Sequence, residues 1–266
     1  MFLPSLSNRI LSRFGLEIVY KKDLDRLIYS SSVNRKIKSL DSSLLPDSFD
    51  DQQFLITNKQ PVIFDVGSYV GEIACKYAAT FPEAAIYAFE PTLSSFHELE
   101  KKASEISNIQ TFNFAFSDSN TSREFYLNKF SPTNSLLPAS SNASKVWGDD
   151  LLDTQENIFV ECQTIDSFCH DRDISHIDIL KLDVQGGELI VLNGARDMLQ
   201  NNGISLVYTE IIFAETYRNQ TGLTDLLQFM DEFQFRLLNF YNPKYLERRL
   251  IQADLIFIHG NSLLNN

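Results

Sequence analysis

The stretch from Pro61 to Pro91, PVIFDVGSYVGEIACKYAATFPEAAIYAFEP, constrains this chain more than any other. An apolar run, Val62 to Phe64, ends in Asp65, and Gly67 and Gly71 follow. A helical pattern covers Val70 to Thr80, and a second apolar run, Ala84 to Phe89, ends in Glu90. Strand, glycine turn, helix, strand and acid in that order make a βαβ unit for a nucleoside cofactor. The glycines allow a sharp turn and let a ligand approach the helix N-terminus, and Glu90 stands where a carboxylate grips ribose hydroxyls. The plainer reading of Gly67 and Gly71 is that they only permit a tight strand-to-helix turn.

The first position of the turn discriminates between cofactors. A dinucleotide site opens G-x-G-x-x-G, because pyrophosphate needs bare backbone and is repelled by a carboxylate. Here the turn reads D-V-G-S-Y-V-G and opens on Asp65. An acid suits a ligand with an ammonium, a sulfonium and no phosphate, which is the charge pattern of S-adenosylmethionine (SAM).

Beyond this unit the alternation continues. Leu93 to Ile106 has helical spacing, and Ile109 to Phe114 reads as a third strand leading into a loop, Ala115 to Asp118, where an adenine ring would lie. Ser122–Asn128 and Ile158–Gln163 alternate and are expected to pair antiparallel. Between them Lys129 to Asn157, which contains Trp147, reads as a long loop of the kind that forms lids. Buried strands ending in acids follow at His176–Asp183 and Ile204–Glu210. Helices are expected at Glu188–Leu199 and Leu223–Phe233, and last strands at Phe235–Phe240 and Ala253–His259. The pattern predicts a doubly wound, seven-stranded, mostly parallel α/β sheet with ligands at the carboxyl ends of the strands.

Residues 59–266 form the expected main domain and residues 1–58 an N-terminal helical extension. The extension is basic: residues 1–40 carry a net +5 within a chain of net −12, leaving −17 on the rest, with a helix expected from Asp23. An acidic body disfavours nucleic acid as substrate. The basic head would dock on that body, on a second subunit or on an anionic membrane face. No apolar run approaches the roughly 20 residues of a membrane span, and the N-terminus lacks the continuous apolar core and cleavage site of a signal peptide. Cys75, Cys162 and Cys169 lack zinc spacing and read as thiols in a reducing compartment. These features point to a cytoplasmic protein, peripheral to a membrane if the head docks there.

By this point the chain resembles the FkbM-type SAM-dependent methyltransferases, from about Val62 to His259. The resemblance rests on VIFDVGSYVGE, IYAFEP, NFAFSD, NSLLP, TIDSF, DILKLDVQGGELIVLNGA, VYTEI and QADLIFI in that order, with Asp178–Ala195 the most specific block. It implies the class I methyltransferase sheet, whose seventh strand is antiparallel and inserted between the fifth and sixth. It also implies O-methylation of hydroxyls on sugars or natural products. By the same resemblance Glu90 binds the ribose diol, Asp65 and Gly67 hold the methionine part, Phe116, Ser117 and Asp118 edge the adenine, and Asp183 faces the sulfonium or the acceptor. The family commonly has Glu where this chain has Gln185, so no acidic role carries over there.

Methyl transfer to oxygen needs an in-line hydroxyl and a group to take its proton. Asp183 and Glu210 each end a central strand and are the candidate bases. Asp183 alternatively contacts only cofactor, and Glu210 alternatively braces its loop. Glu188 reads as a first-turn acid complementing its helix dipole, and Lys181, which shares a sheet face with Asp183, as an ion-pair partner for it or for Asp178. No histidines pair at metal-ligand spacing, and a cation would need Asp178, Asp183 and Glu210 to converge. Three other activities stay open: a non-catalytic SAM-binding module suggested by Gln185, methylation of a protein acceptor, and NAD-dependent chemistry, which Asp65 disfavours.

Overall fold

A computed structural model describes residues 47–148 and 150–260. The basic head and its expected helix from Asp23 therefore lie outside the described residues. The chain opens with helix α1 (Ser48–Leu55), strand β1 (Val62–Val66), α2 (Glu72–Thr80), β2 (Ala85–Phe89), α3 (Leu93–Ala103), β3 (Ile109–Phe112), β4 (Ala115–Phe116) and β5 (Thr121–Asn128). It continues with α4 (Ala143–Trp147), β6 (Thr154–Gln163), α5 (Ile165–His170), β7 (Ile177–Leu182), α6 (Glu188–Asn193), α7 (Arg196–Gln200), β8 (Ile204–Ile212), α8 (Leu223–Glu232), β9 (Phe235–Leu246) and β10 (Arg249–His259).

Seven strands form one sheet in the order β3-β2-β1-β7-β8-β10-β9, and β4-β6-β5 form a second sheet of three. The β1–β2, β1–β7, β2–β3 and β7–β8 pairings are parallel, while β10 runs antiparallel to both β8 and β9. This is the expected class I arrangement, with the last strand inserted between its two predecessors. The insertion follows from a hairpin: only Glu247 and Arg248 separate β9 from β10, and Glu247 sits at φ 55°, as tight hairpin turns require.

Both faces of the sheet are buried, which is why its central strands are mostly apolar; every residue of β7 is buried, Asp178 and Lys181 included. The period of two assigns alternate residues to opposite cores. Phe64 and Leu180 join one core; Ile63, Ile179 and Leu206 join the other. The first core explains much of the phenylalanine content. Phe168 of α5 presents its ring edge-on to Phe89, Phe112 and Phe64 at 5.1–5.6 Å, an arrangement matched to ring quadrupoles. On the other face α1 is stitched to α2: Phe49 packs on Tyr77 at 4.9 Å, and the Tyr77 hydroxyl donates to the buried Gln52 amide oxygen at 2.8 Å.

Three expectations about elements change. The third strand ends at Phe112, because the Asn113 amide turns aside to donate to the carbonyls of Glu90 (2.9 Å) and Pro91 (3.0 Å). Ala115–Phe116 then pairs with Cys162–Gln163 in the smaller sheet instead of forming an open loop. The single helix expected over Glu188–Leu199 breaks at Gly194, whose carbonyl accepts from Asp166 N; the Asp166 carboxylate in turn accepts from Asp197 N (3.0 Å) and Met198 N (2.9 Å) and so starts α7. The expected antiparallel pairing of β5 with β6 is present.

Candidate active site

The carboxyl ends of β1, β2 and β7 enclose an open, largely apolar cleft with a few polar groups, the usual character of a small-molecule site. Its floor is bare backbone. Gly67 has φ 74°, and a Cβ there would lie 2.0 Å from the Asp183 carbonyl oxygen, so the β1 turn and the end of β7 touch with no space for a side chain. The turn is held from β2, since Gly67 N (3.1 Å) and Ser68 N (2.9 Å) both donate to the Phe89 carbonyl.

Glu90 faces this floor across the cleft. One carboxylate oxygen accepts from Tyr69 N at 3.1 Å; the other accepts from Thr92 N at 2.9 Å and from the Thr92 hydroxyl. Burial pushes the Glu90 pKa up, and the bonds from Thr92 and Tyr69 only partly restrain it, leaving a net rise. Phe114, Ala115, Phe116, Phe125 and Leu136 give the cleft an apolar wall, and Ser131, Pro132 and Asn134 close over it. A carboxylate for a diol, an apolar slot for a base and a side-chain-free floor fit an adenosyl group.

A second cluster rests on the β7, β8 and β10 ends. In register, Asp65 lies beside Lys181, Lys181 beside Tyr208, and Glu210 opposite Asp254, all on the α1–α2 face of the sheet. The Lys181 ammonium is 2.8 Å from Asp65, donates to the Gly67 carbonyl at 3.0 Å and lies 3.9 Å from Asp183. Burial alone would depress its pKa, but the charges of Asp65, Asp183 and Glu210 and the bond to Asp65 outweigh burial and raise it.

Gln185, at φ 54°, bridges the two candidate bases: its amide nitrogen donates to Asp183 Oδ1 at 2.8 Å and to Glu210 Oε2 at 3.0 Å. Its amide oxygen lies 3.0 Å from the Tyr217 hydroxyl, whose one proton also has the Thr133 carbonyl at 2.8 Å, and it is the two acids, which need a donor between them, that set the orientation of the amide. Gln252 donates to the other Glu210 oxygen. Burial, then repulsion from Asp183, Asp254 and Glu188, raises the Glu210 pKa well above the usual carboxylate range.

The structure gathers Gly67, Glu90, Phe116 and Asp183 around the cleft and sets Glu210 just beyond Asp183. Asp65 is absent from the cleft wall: it is fully buried beneath the turn, where strand alternation aims it at Lys181. Gly71 starts α2 at φ 83° and gives way to Leu99, whose Cδ1 would lie 2.6 Å from a Cβ there. Ser117 and Asp118 also stand outside the cleft, because both face Arg123, at 2.5 Å and 3.0 Å. Asp178 lies at the opposite end of β7, accepting from Val62 N (2.8 Å) and the Asn58 amide, so it converges neither with Lys181 nor with Asp183 and Glu210. Among the described residues no group of three or more His, Cys, Asp or Glu is placed to hold a metal.

Glu188 is 2 % exposed and accepts from Gly186 N at 3.0 Å; burial pushes its pKa up to about 7. The Lys129–Asn157 segment covers the cofactor cleft through Ser131–Leu136, and Trp147 anchors it by donating to the Thr216 hydroxyl at 2.8 Å. Tyr69, Phe125, Asn134, Tyr208, Tyr217, Gln252 and Asp254 went unassigned in sequence. Two-residue steps along β8 and β10 would have flagged Tyr208 and Asp254, since Tyr208 precedes Glu210 by two.

The family described as Methyltransferase FkbM domain matches residues 65–237. The 2-O-methyltransferase NoeI of Sinorhizobium fredii (strain NBRC 101917 / NGR234) is 24% identical over 188 residues, covering 68% of this chain and 75% of NoeI. Similar solved structures include M. capricolum TrmK in complex with S-adenosyl-homocysteine, at 12% identity and TM-score 0.43, covering 81% of this chain and 69% of that one. Aeropyrum pernix fibrillarin with bound S-adenosyl-L-methionine is similar at 12% identity and TM-score 0.41, over 74% of this chain and 66% of that one. With the match spanning more than half its length, and a cleft whose groups suit an adenosyl ligand, the chain belongs to the FkbM methyltransferase family and is a SAM-dependent enzyme.

Proposed function

We propose that the protein methylates a hydroxyl of a saccharide, glycoconjugate or related small molecule. The observation that carries this reading is the position of Asp183 between the cofactor cleft and a polar hollow beside it, since it lines both. When bound, SAM supplies an electrophilic methyl group on a sulfonium. Glu90 takes the ribose hydroxyls, the Gly67–Tyr69 turn cradles the methionine part, and Phe114 to Phe116 flank the adenine.

Asp183 is the proton acceptor in this scheme. Its side chain is 40% exposed; Oδ1 is taken by Gln185, while Oδ2 has the Lys181 ammonium at 3.9 Å, beyond hydrogen-bond reach, and can still accept from an incoming hydroxyl. Both Glu210 oxygens already accept from glutamine amides, which makes Glu210 the group that holds Gln185 and, through it, Asp183. A carboxylate is too weak a base to ionise an alcohol beforehand, so the proton moves as the new C–O bond forms. Gln185 therefore serves as an organiser, which favours catalysis over a non-catalytic module. NoeI is a 2-O-methyltransferase, which agrees with an oxygen acceptor.

The acidic body disfavours nucleic acid. The basic residues 1–40 suit a cytoplasmic enzyme held near an anionic membrane or to a second subunit. Among the described residues no helix is long and apolar enough to cross a membrane. Incubation with labelled SAM and separated glycolipid, small-metabolite and protein fractions tests the acceptor. Label is expected in saccharide as an O-methyl group, and label confined to protein would overturn the assignment.

A further inference from the structure

The hollow beside the cofactor cleft shares Ile73, Lys181 and Asp183 with it. Its inner wall is Asp183, Tyr208 and Glu210. Its outer wall comes from Ser48 and Phe49 of α1 and from Asn242 and Asp254 of the β9–β10 hairpin. Those four outer residues all fall outside the 65–237 segment that the family model matches.

The chemistry of the lining is selective. Carboxylates at Asp47, Asp183, Glu210 and Asp254 face ammonium groups at Lys76 and Lys181 only. Lys181 is committed to Asp65 beneath the floor, and Lys76 lies 3.7 Å from Asp47 and 3.8 Å over the Phe49 ring. Among the described residues the lining offers a ligand phosphate or carboxylate no unengaged lysine or arginine, Lys244 of the hairpin acting on Glu210 from beyond the lining, and the acids repel an anion. The remaining groups suit hydroxyls. Tyr208 donates to Asp254 at 2.7 Å, Asn242 donates to the same oxygen at 2.7 Å, and Ser48 donates to Tyr208 at 3.2 Å, which leaves acceptor sites on Asp254 and Asp183. Phe49 and Ile73 add an apolar surface for the C–H face of a ring.

We infer that this hollow is the acceptor subsite, that it takes an uncharged, hydroxyl-rich glycosyl ring, and that α1 with the β9–β10 hairpin determines which ring is accepted. The inference rests on the reading of Asp183 as the methyl-facing carboxylate. Its test uses the full chain loaded with S-adenosylhomocysteine and titrated by saturation-transfer NMR with neutral methyl glycosides and their matched uronates. Neutral glycosides are expected to bind roughly fivefold or more tighter than the uronates. Ser48→Phe, which fills the hollow, should weaken neutral glycosides about fivefold or more, and Asp254→Asn, which keeps its shape, should shrink the preference over uronates to about twofold or less. Both variants should keep S-adenosylhomocysteine affinity within about twofold, because neither residue lines the cofactor cleft. Absence of glycoside binding, uronates that bind as well as neutral rings, or a preference unmoved by Asp254→Asn would each overturn the inference. Failure of S-adenosylhomocysteine itself to bind would instead sink the cofactor reading, and the subsite with it.

Discussion

The two sides of Asp183 are built by different means. On the cofactor side the contacts are made largely by backbone: a glycine floor, peptide N–H groups on the Phe89 carbonyl, and a carboxylate, Glu90, whose partners Tyr69 N and Thr92 N are peptide groups two to twenty-one residues away. On the acceptor side most polar contacts are between side chains from distant elements. Gln185, Glu210, Gln252, Tyr208 and Asp254 come from a loop and two strands, and α1 adds Ser48. A site made of backbone tolerates little change in shape, whereas one made of side chains can be re-specified residue by residue without altering the sheet beneath. That contrast explains how one fold keeps its cofactor and varies its acceptor.

Substitutions on the two sides should therefore fail differently. The largest effect is expected at the floor. In Gly67→Ala, left-handed backbone strain of about 1–2 kcal/mol combines with an overlap against the Asp183 carbonyl of roughly 1–3 kcal/mol. Chemical denaturation should show a loss of about 3 kcal/mol or more, with SAM binding abolished in calorimetry. A well-folded Gly67→Ala protein that binds SAM normally would break the comparison from the cofactor side.

Glu188 gives the next largest effect, and it depends on pH. Its folded pKa, about 7, stands above the ordinary 4.5 because burial opposes ionisation. Relative to an unshifted acid, its contribution is fully present below about pH 4.5 and is lost as pH rises through about 7. Glu188→Gln keeps an acceptor for Gly186 N and removes the titration. The variant should gain stability over the wild type between about pH 4.5 and 7, reaching up to about 3 kcal/mol above that window. Paired urea melts at pH 4 and pH 8 check the sign, and an equal gain at both would contradict it.

A smaller loss is expected at Glu90. Replacing it by Ala removes charged acceptors worth about 1.5–3 kcal/mol each, so SAM affinity should fall tenfold or more. Trp147→Phe should cost least: losing its bond to Thr216 removes about 0.5–1.5 kcal/mol, visible in the melting temperature, with SAM affinity unchanged because Trp147 does not line the cleft. A strong effect of this substitution on cofactor binding would mean that the 129–157 segment is coupled to the cleft through more than its Ser131–Leu136 portion.

The sequence showed what depends on local order and missed what depends on register. The sheet, the Gly67 turn and Glu90 were legible because strand, glycine and acid follow one another within thirty residues. Asp65 was misplaced because its position in the turn motif suggested a ligand contact, while strand alternation, the stronger constraint, sent it under the floor to Lys181. Ser117 and Asp118 were misplaced for want of a partner, since Arg123 lies on a strand of the smaller sheet whose approach no local pattern announces. Gln185 looked like a loss of function beside relatives with Glu, yet an amide is the group that can donate to Asp183 and Glu210 together. The acceptor side needed the pairing of β10 with β8, which sets Asp254 opposite Glu210 from forty-four positions further along the chain.

The central claim, that cofactor binding and chemistry divide at Asp183, is tested most directly by Asp183→Asn with two readouts on one preparation: SAM affinity by calorimetry, and single-turnover methyl transfer to the acceptor fraction that wild type labels. Two compartments joined at that carboxylate predict SAM affinity within about threefold of wild type and transfer slowed by roughly 10²–10⁴. Transfer at the wild-type rate, or a loss explained entirely by weakened SAM binding, would contradict it.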